Sequence, residues 1–372
     1  MSRRIASSRQ RGFGIVEVMV AMVIALIGMI VIFQIFEISE SYNRTAMSGS
    51  DSQQNGAYSV YVLQNEIRQS GWGFNNSQAL GCNVLAYSAT LGGPPSQLTP
   101  GYAPAYVLAP VVIDPAPAGN ASDSLEINYG NQNLLVAPVQ VYQNQASGTD
   151  PFVLANRYGF AVSDVILAAE PGKACTLAQV SSMPAAPSTT VNRASGGGYP
   201  FNQPGGSGVI YTTNAYLYDL GQAPVRDVFA VVNNQLTVIP TFTSNVQQVV
   251  ADNIVQMKAQ YGKDNGINNG TVPAGPYVKD DGIVDSYDNV LPANAAAWNE
   301  VLTVRIGVVA RSAQPEKPTG GAAACNTTTA APTWSGSANA PFDLTANANW
   351  QCYRYKVFET VIPVKNILWT QG

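Results

Sequence analysis

An unbroken apolar run from Phe13 to Phe36, FGIVEVMVAMVIALIGMIVIFQIF, constrains this chain more than any other feature. Its 24 residues make a helix of about 36 Å, enough to cross a bilayer core of about 30 Å. Arg3, Arg4, Arg9 and Arg11 precede it, whereas Glu37 and Glu40 follow. That asymmetry predicts a cytoplasmic N-terminus and places the bulk of the chain on the other side. A secretory signal peptide has a shorter apolar core and a small-residue cleavage site, and no convincing Ala-x-Ala follows here. A plain signal anchor fits the length and the flanking charges but leaves Glu17, the single ionisable residue in the run, without a reason. A carboxylate at mid-membrane depth costs roughly 2.5–3.5 kcal/mol, which marks Glu17 as a functional residue.

The rest of the composition narrows the chemistry. Of 372 residues 46% are hydrophobic and only 11% charged, with 33 Gly and 24 Pro, a mixture that favours short strands and long loops over a helical bundle. A formal charge of −4, moving to −8 if the four N-terminal arginines are removed, gives no basic stripe for nucleic acid. Histidine is absent, which excludes Ser-His-Asp and Cys-His catalysis and most catalytic zinc sites. There is no nucleophile elbow, phosphate-cradling glycine loop or zinc-ligand spacing. The expectation is a protein without catalytic residues, metal or cofactor. A membrane-anchored enzyme working with carboxylates remains the alternative from a different class.

Beyond Phe36 the helical pattern continues. Tyr58, Tyr61, Val62 and Asn65, with Val60, Leu63 and Ile67, recur at three- and four-residue spacing, and Tyr58, Tyr61 and Trp72 read as core packing. Gly49 and Gly56 would loosen the middle of this helix, and Gly71-Trp72-Gly73 would end it. Past residue 80 the period becomes two. Strands are predicted around 125–129, 134–142, 162–168, 209–211, 216–218, 228–232, 236–239, 301–312 and 353–363, with long loops at 92–122, 183–208, 262–300 and 313–349. In 301–312, Leu302, Val304, Ile306, Val308 and Ala310 share one face and Thr303, Arg305 and Arg311 the other. The fold class predicted is α+β: a long N-terminal helix packed on a mainly antiparallel sheet.

Four cysteines, Cys82, Cys175, Cys325 and Cys352, lack Cys-x-x-Cys spacing and read as disulfides of an exported chain. They allow three connectivities. A Cys325–Cys352 bridge would close the 313–349 loop and leave Cys82 with Cys175; the other two pairings, and buried free thiols, stay open. Asp264, Asp280, Asp281, Asp285 and Asp288 offer hard oxygen ligands for calcium. Their spacing does not fit an EF-hand, so solvated turns are the favoured reading.

The string Arg11-Gly12-Phe13-Gly14-Ile15-Val16-Glu17 resembles the signal of type IV pilins and pseudopilins. The resemblance implies that a prepilin peptidase cuts between Gly12 and Phe13 and methylates the new Phe13 amine, and that Glu17 neutralises an N-terminal amine during assembly. Gly14 departs from the commoner threonine, and no proline interrupts the membrane half of the helix. Further on, residues 250–262 ending in Tyr261-Gly262, then Trp298-Asn299-Glu300-Val301, Val304-Arg305, Tyr353–Phe358 and Val361–Asn366 resemble the PilW group of minor pilins. That group implies a role in initiating a type IV pilus, in a priming or tip complex. Implied partners are the prepilin peptidase, other minor and major pilins, the inner-membrane assembly platform and a tip adhesin. The implied location is the inner membrane, with a periplasmic head, and then the filament. A GspJ-like pseudopilin of type II secretion is the nearest alternative. The implied organisation is a leader at 1–12, a spanning helix at 13–36, its continuation at 37–71 and a β-rich head at 72–372.

Overall fold

The computed structural model describes Gly12 and residues 14–74, 79–89, 106–116, 121–132, 137–272, 275–318 and 324–368. The chain forms two compact units, residues 1–50 and 51–372. One helix, α1 (Ile15–Gln69), supplies the described structure of the first and opens the second. It is 55 residues long. No proline occurs before Pro94, and the helix runs unbroken through Gly49 and Gly56.

Within residues 51–372 the buried face of α1 is Ser52, Gly56, Ser59, Leu63, Ile67 and then Ser70. Tyr58 and Tyr61, expected in the core, are 53% and 66% exposed. The side facing the sheet carries small residues over its first two turns, and small residues give no hydrophobic signal. Gly56 explains them. A Cβ there would lie 2.1 Å from Cε2 of Phe358, so the helix approaches β16 (Tyr355–Pro363) more closely than any larger residue permits.

The helix ends as glycine dictates. Gly71 and Gly73 have φ of +80° and +91°, a region that costs a Cβ-bearing residue energy. The Gly71 amide donates to the Asn128 carbonyl at 2.8 Å, attaching the helix end to a strand. The Asn366 side chain donates to the carbonyls of Gln69 (3.1 Å) and Ser70 (2.8 Å). These are carbonyls that a terminating helix leaves without partners.

Among the described residues the strands form three larger sheets and a two-stranded ribbon. One sheet runs β1 (Val84–Leu85), β7 (Cys175–Gln179), β6 (Val165–Ala169), β9 (Tyr216–Gly221), β4 (Val139–Gln140). A second runs β12 (Gln248–Asp252), β11 (Gln235–Pro240), β10 (Val225–Val232), β3 (Ser124–Tyr129), β2 (Val111–Asp114). The third is β14 (Ser286–Asp288), β13 (Ile254–Lys263), β15 (Val301–Arg311), β16. The ribbon pairs β5 (Phe152–Val153) with β8 (Thr190–Val191). Among the described residues every pairing is antiparallel except β1 with β7. This is an α+β protein.

Residues 209–211, expected as a strand, are irregular, although Tyr211 is fully buried and donates its hydroxyl to the Ala174 carbonyl. Three of the expected loops contain short elements: β2 in 92–122, β8 in 183–208, and β14 with α2 (Ala295–Asn299) in 262–300. Residues 134–136 lie outside the described part, so only the end of the expected 134–142 strand is seen, as β4.

β15 is buried on both faces. Val304, Ile306, Val308 and Ala310 join the main core with Leu63 and Ile67. The opposite face is covered by the 313–349 segment, whose Trp334, Ala340, Phe342 and Leu344 pack on Val255 and Val309. Gly307 makes room for this cover, since a Cβ there would meet the Trp334 ring at 2.6 Å. Disulfides join Cys325 to Cys352 at the base of the cover and Cys82 to Cys175 beside the β1–β7 pair.

Candidate assembly interface

Gly12 is described, Phe13 lies outside the described residues, and α1 begins two positions later at Ile15. Glu17 stands in the first turn, where its amide and that of Val18 donate to the Gly14 carbonyl at 2.9 and 3.2 Å. An anionic side chain is favoured at this end of a helix, because unpaired amides leave partial positive charge there. From Ile15 to Ile38 the large apolar side chains stand 44–81% exposed on all sides of the helix. The apolar span is Ile15–Glu40, 26 residues and about 39 Å. A surface apolar all round needs lipid or other helices as its surroundings. Among the described residues Glu17 is the only charge before Glu37, so it is the one place where a cation could be paired inside that surface.

In the head, the residues that carry the C-terminal resemblance prove to be architectural. Tyr261 is fully buried, accepts from the Ile113 amide at 2.7 Å and donates to the Val111 carbonyl, tying β13 to β2. Its ring meets that of Trp298 edge-on at 5.6 Å. Gly262 leaves space for Thr303, whose Oγ1 would lie 2.2 Å from an added Cβ. Arg305 donates through Nε to the Gln260 side-chain oxygen at 3.1 Å and stacks on Tyr287 at 3.9 Å, under the 313–349 cover. Burial lowers its pKa. Asn366 closes the series as the cap of α1. Sequence periodicity alone could not have assigned Asn366 this role, since its partners lie nearly 300 positions upstream.

The acidic loop is arranged around backbone amides. Asp264 accepts from Asp280 N (2.7 Å) and Gly282 N (2.6 Å), Asp285 from Gly266 N, and Asp288 pairs with Lys263 at 2.7 Å. Among the described residues no group of three or more Asp, Glu, Cys or His side chains has the geometry to hold a metal ion. The hydrogen bonds show these carboxylates acting as turn acceptors.

Two families match the chain. Residues 7–33 match the prokaryotic N-terminal methylation motif. Residues 228–366 match Type IV Pilus-assembly protein W, a stretch that runs from β10 through the whole third sheet to the Asn366 cap. No similar curated protein and no similar solved structure was found. The motif and the family imply processing by a prepilin peptidase and assembly with other pilins. With the methylation motif on its apolar helix and the pilus-assembly match over part of its β-rich head, the chain matches a PilW-like type IV minor pilin.

Proposed function

We propose that this protein is cut between Gly12 and Phe13, methylated on the Phe13 amine, and incorporated through α1 into the priming or tip complex of a type IV pilus. Its part there is non-catalytic. The observation that carries the reading is Glu17, a lone carboxylate in the first turn of an exposed apolar helix, the fifth residue after the cut. The new amine stays cationic after one methylation, and an unpaired charge in an apolar surrounding is costly. Glu17 neutralises that amine, in its own chain or in the neighbouring subunit, as helices pass from bilayer to filament. The arginines at positions 3, 4, 9 and 11 favour a cytoplasmic N-terminus with the head in the periplasm. The partners are then major and minor pilins along the helix, the inner-membrane platform, and a tip adhesin at the head.

Deleting the gene and restoring it as wild type or Glu17→Ala tests this. Surface pili are counted and type II secretion is assayed in the same strains. The expected result is lost pili in the deletion, poor rescue by Glu17→Ala and unchanged secretion. Normal piliation with lost secretion would move the protein to a secretion pseudopilus.

A further inference from the structure

Between the two matched segments, residues 139–217 build a second hydrophobic cluster of their own, with Phe152, Leu154, Ile166, Val180, Val191 and Tyr211 at its centre. A cleft of about 250 Å³ opens at its border with the β1 segment. All of its lining residues fall between 85 and 207, outside both family matches. One cation dominates it. The Arg193 guanidinium stacks on the Phe152 ring at 4.6 Å and donates through Nε to the Asp150 carbonyl (3.1 Å) and through Nη2 to the Gly148 carbonyl (2.7 Å). These contacts fix the group and leave the N–H bonds of Nη1 unused among the described residues. Arg193 has no ion pair among the described residues: the Asp150 carboxylate acts on it only through its field, because Oδ2 accepts from the amides of Ala146 and Ser147. A half-buried, immobilised cation without a counter-charge is an expensive feature unless an anion completes it.

The walls suit a hydroxylated molecule. Tyr87 contributes a ring and a hydroxyl with no hydrogen bond among the described residues, and Thr149, Ser195, Gln203 and Ser207 add hydroxyl and amide groups. The far wall depends on Gly206, at φ +78°, where a Cβ would sit 2.5 Å from the Gly148 oxygen. We infer that this cleft binds a small acidic saccharide, its carboxylate paired with Arg193 and its ring lying against Tyr87. Two side-chain classes, a fixed arginine for the charge and several neutral hydroxyls and amides for the ring, together favour a sugar acid over a bare anion.

The test uses the full-length chain in detergent micelles, titrated with glucuronate, glucose or inorganic phosphate and followed by ligand-observed NMR. Glucuronate is expected to bind saturably and glucose not to bind. Arg193→Gln should weaken glucuronate by about tenfold or more. Because Arg193 also ties down the 148–150 turn, Ser195→Asp is the second variant: an exposed position that puts a like charge beside the ligand and should abolish binding with the thermal midpoint unchanged. Equal binding of glucose and glucuronate, or undiminished glucuronate binding by Ser195→Asp, would overturn the proposal. So would binding of phosphate without glucuronate.

Discussion

Replacing Gly56 by Ala sets two calculable effects against each other. In an exposed helix the change stabilises by about 1 kcal/mol, since glycine has the greater backbone freedom to lose. Here the added Cβ would lie 2.1, 2.3 and 2.9 Å from Cε2, Cδ2 and Cζ of Phe358, all closer than atoms tolerate. Phe358 must rotate or α1 must lift from β16, and such overpacking costs about 1–3 kcal/mol. The net expectation is a loss of up to roughly 2 kcal/mol, read by urea unfolding of the full-length protein in detergent with tryptophan fluorescence. The double variant separates the terms. In a Phe358→Ala background the obstacle is gone, and Gly56→Ala should then stabilise by about 1 kcal/mol. The sign reverses only if Phe358 is what Gly56 accommodates. A loss of the same size in both backgrounds would refute the close approach of helix and strand.

Three other outcomes follow from the same contacts. Asn366→Ala frees the Gln69 and Ser70 carbonyls and should cost about 1–3 kcal/mol, with faster amide exchange confined at first to the last turn of α1. Burial, reinforced by Glu66, pushes the Asp227 carboxyl up from 3.8 to about 7. Its folded pKa is raised, so the folded state holds that proton more tightly. Its contribution is fully present below about pH 4 and is lost as pH rises through 7. Asp227→Asn should therefore match wild type at pH 4 and exceed it at pH 8 in thermal midpoint; a constant difference across that range would contradict the assignment. Removing the Cys325–Cys352 bridge as a double serine variant opens a closure of 27 positions and should cost about 3–4 kcal/mol, with Trp334 becoming accessible to quencher.

How much of this could be read from sequence depended on whether the signal was local. The apolar run, Glu17 and the alternation in 301–312 are properties of neighbouring residues, and their positions in α1 and β15 follow directly. Leu63 and Ile67 were legible as the docked face of α1, but its earlier turns were missed because Ser52, Gly56 and Ser59 are chosen for smallness, whereas the conspicuous Tyr58 and Tyr61 point to solvent. The alternation in β15 also suggested one polar face. In the structure Arg305 and Val309 lie beneath a cover contributed by residues up to 40 positions away. Short strands such as β2 and β14 exist only through their partners, β3 and β13, and carry no period of their own. The Arg193 cleft draws on Tyr87, Gly148 and Gly206 from separate segments, a juxtaposition that no local pattern encodes.

The central claim is that Glu17 belongs to a processed pilin helix and not to a permanent membrane anchor. Mass analysis of the protein's N-terminal peptide, from cells with and without an active prepilin peptidase, addresses it most directly. The account predicts a peptide beginning at Phe13 and heavier by one methyl group when the peptidase is active, and an uncut chain when it is not. A chain retaining Gly12 and the residues before it, unmethylated in both strains, would contradict it.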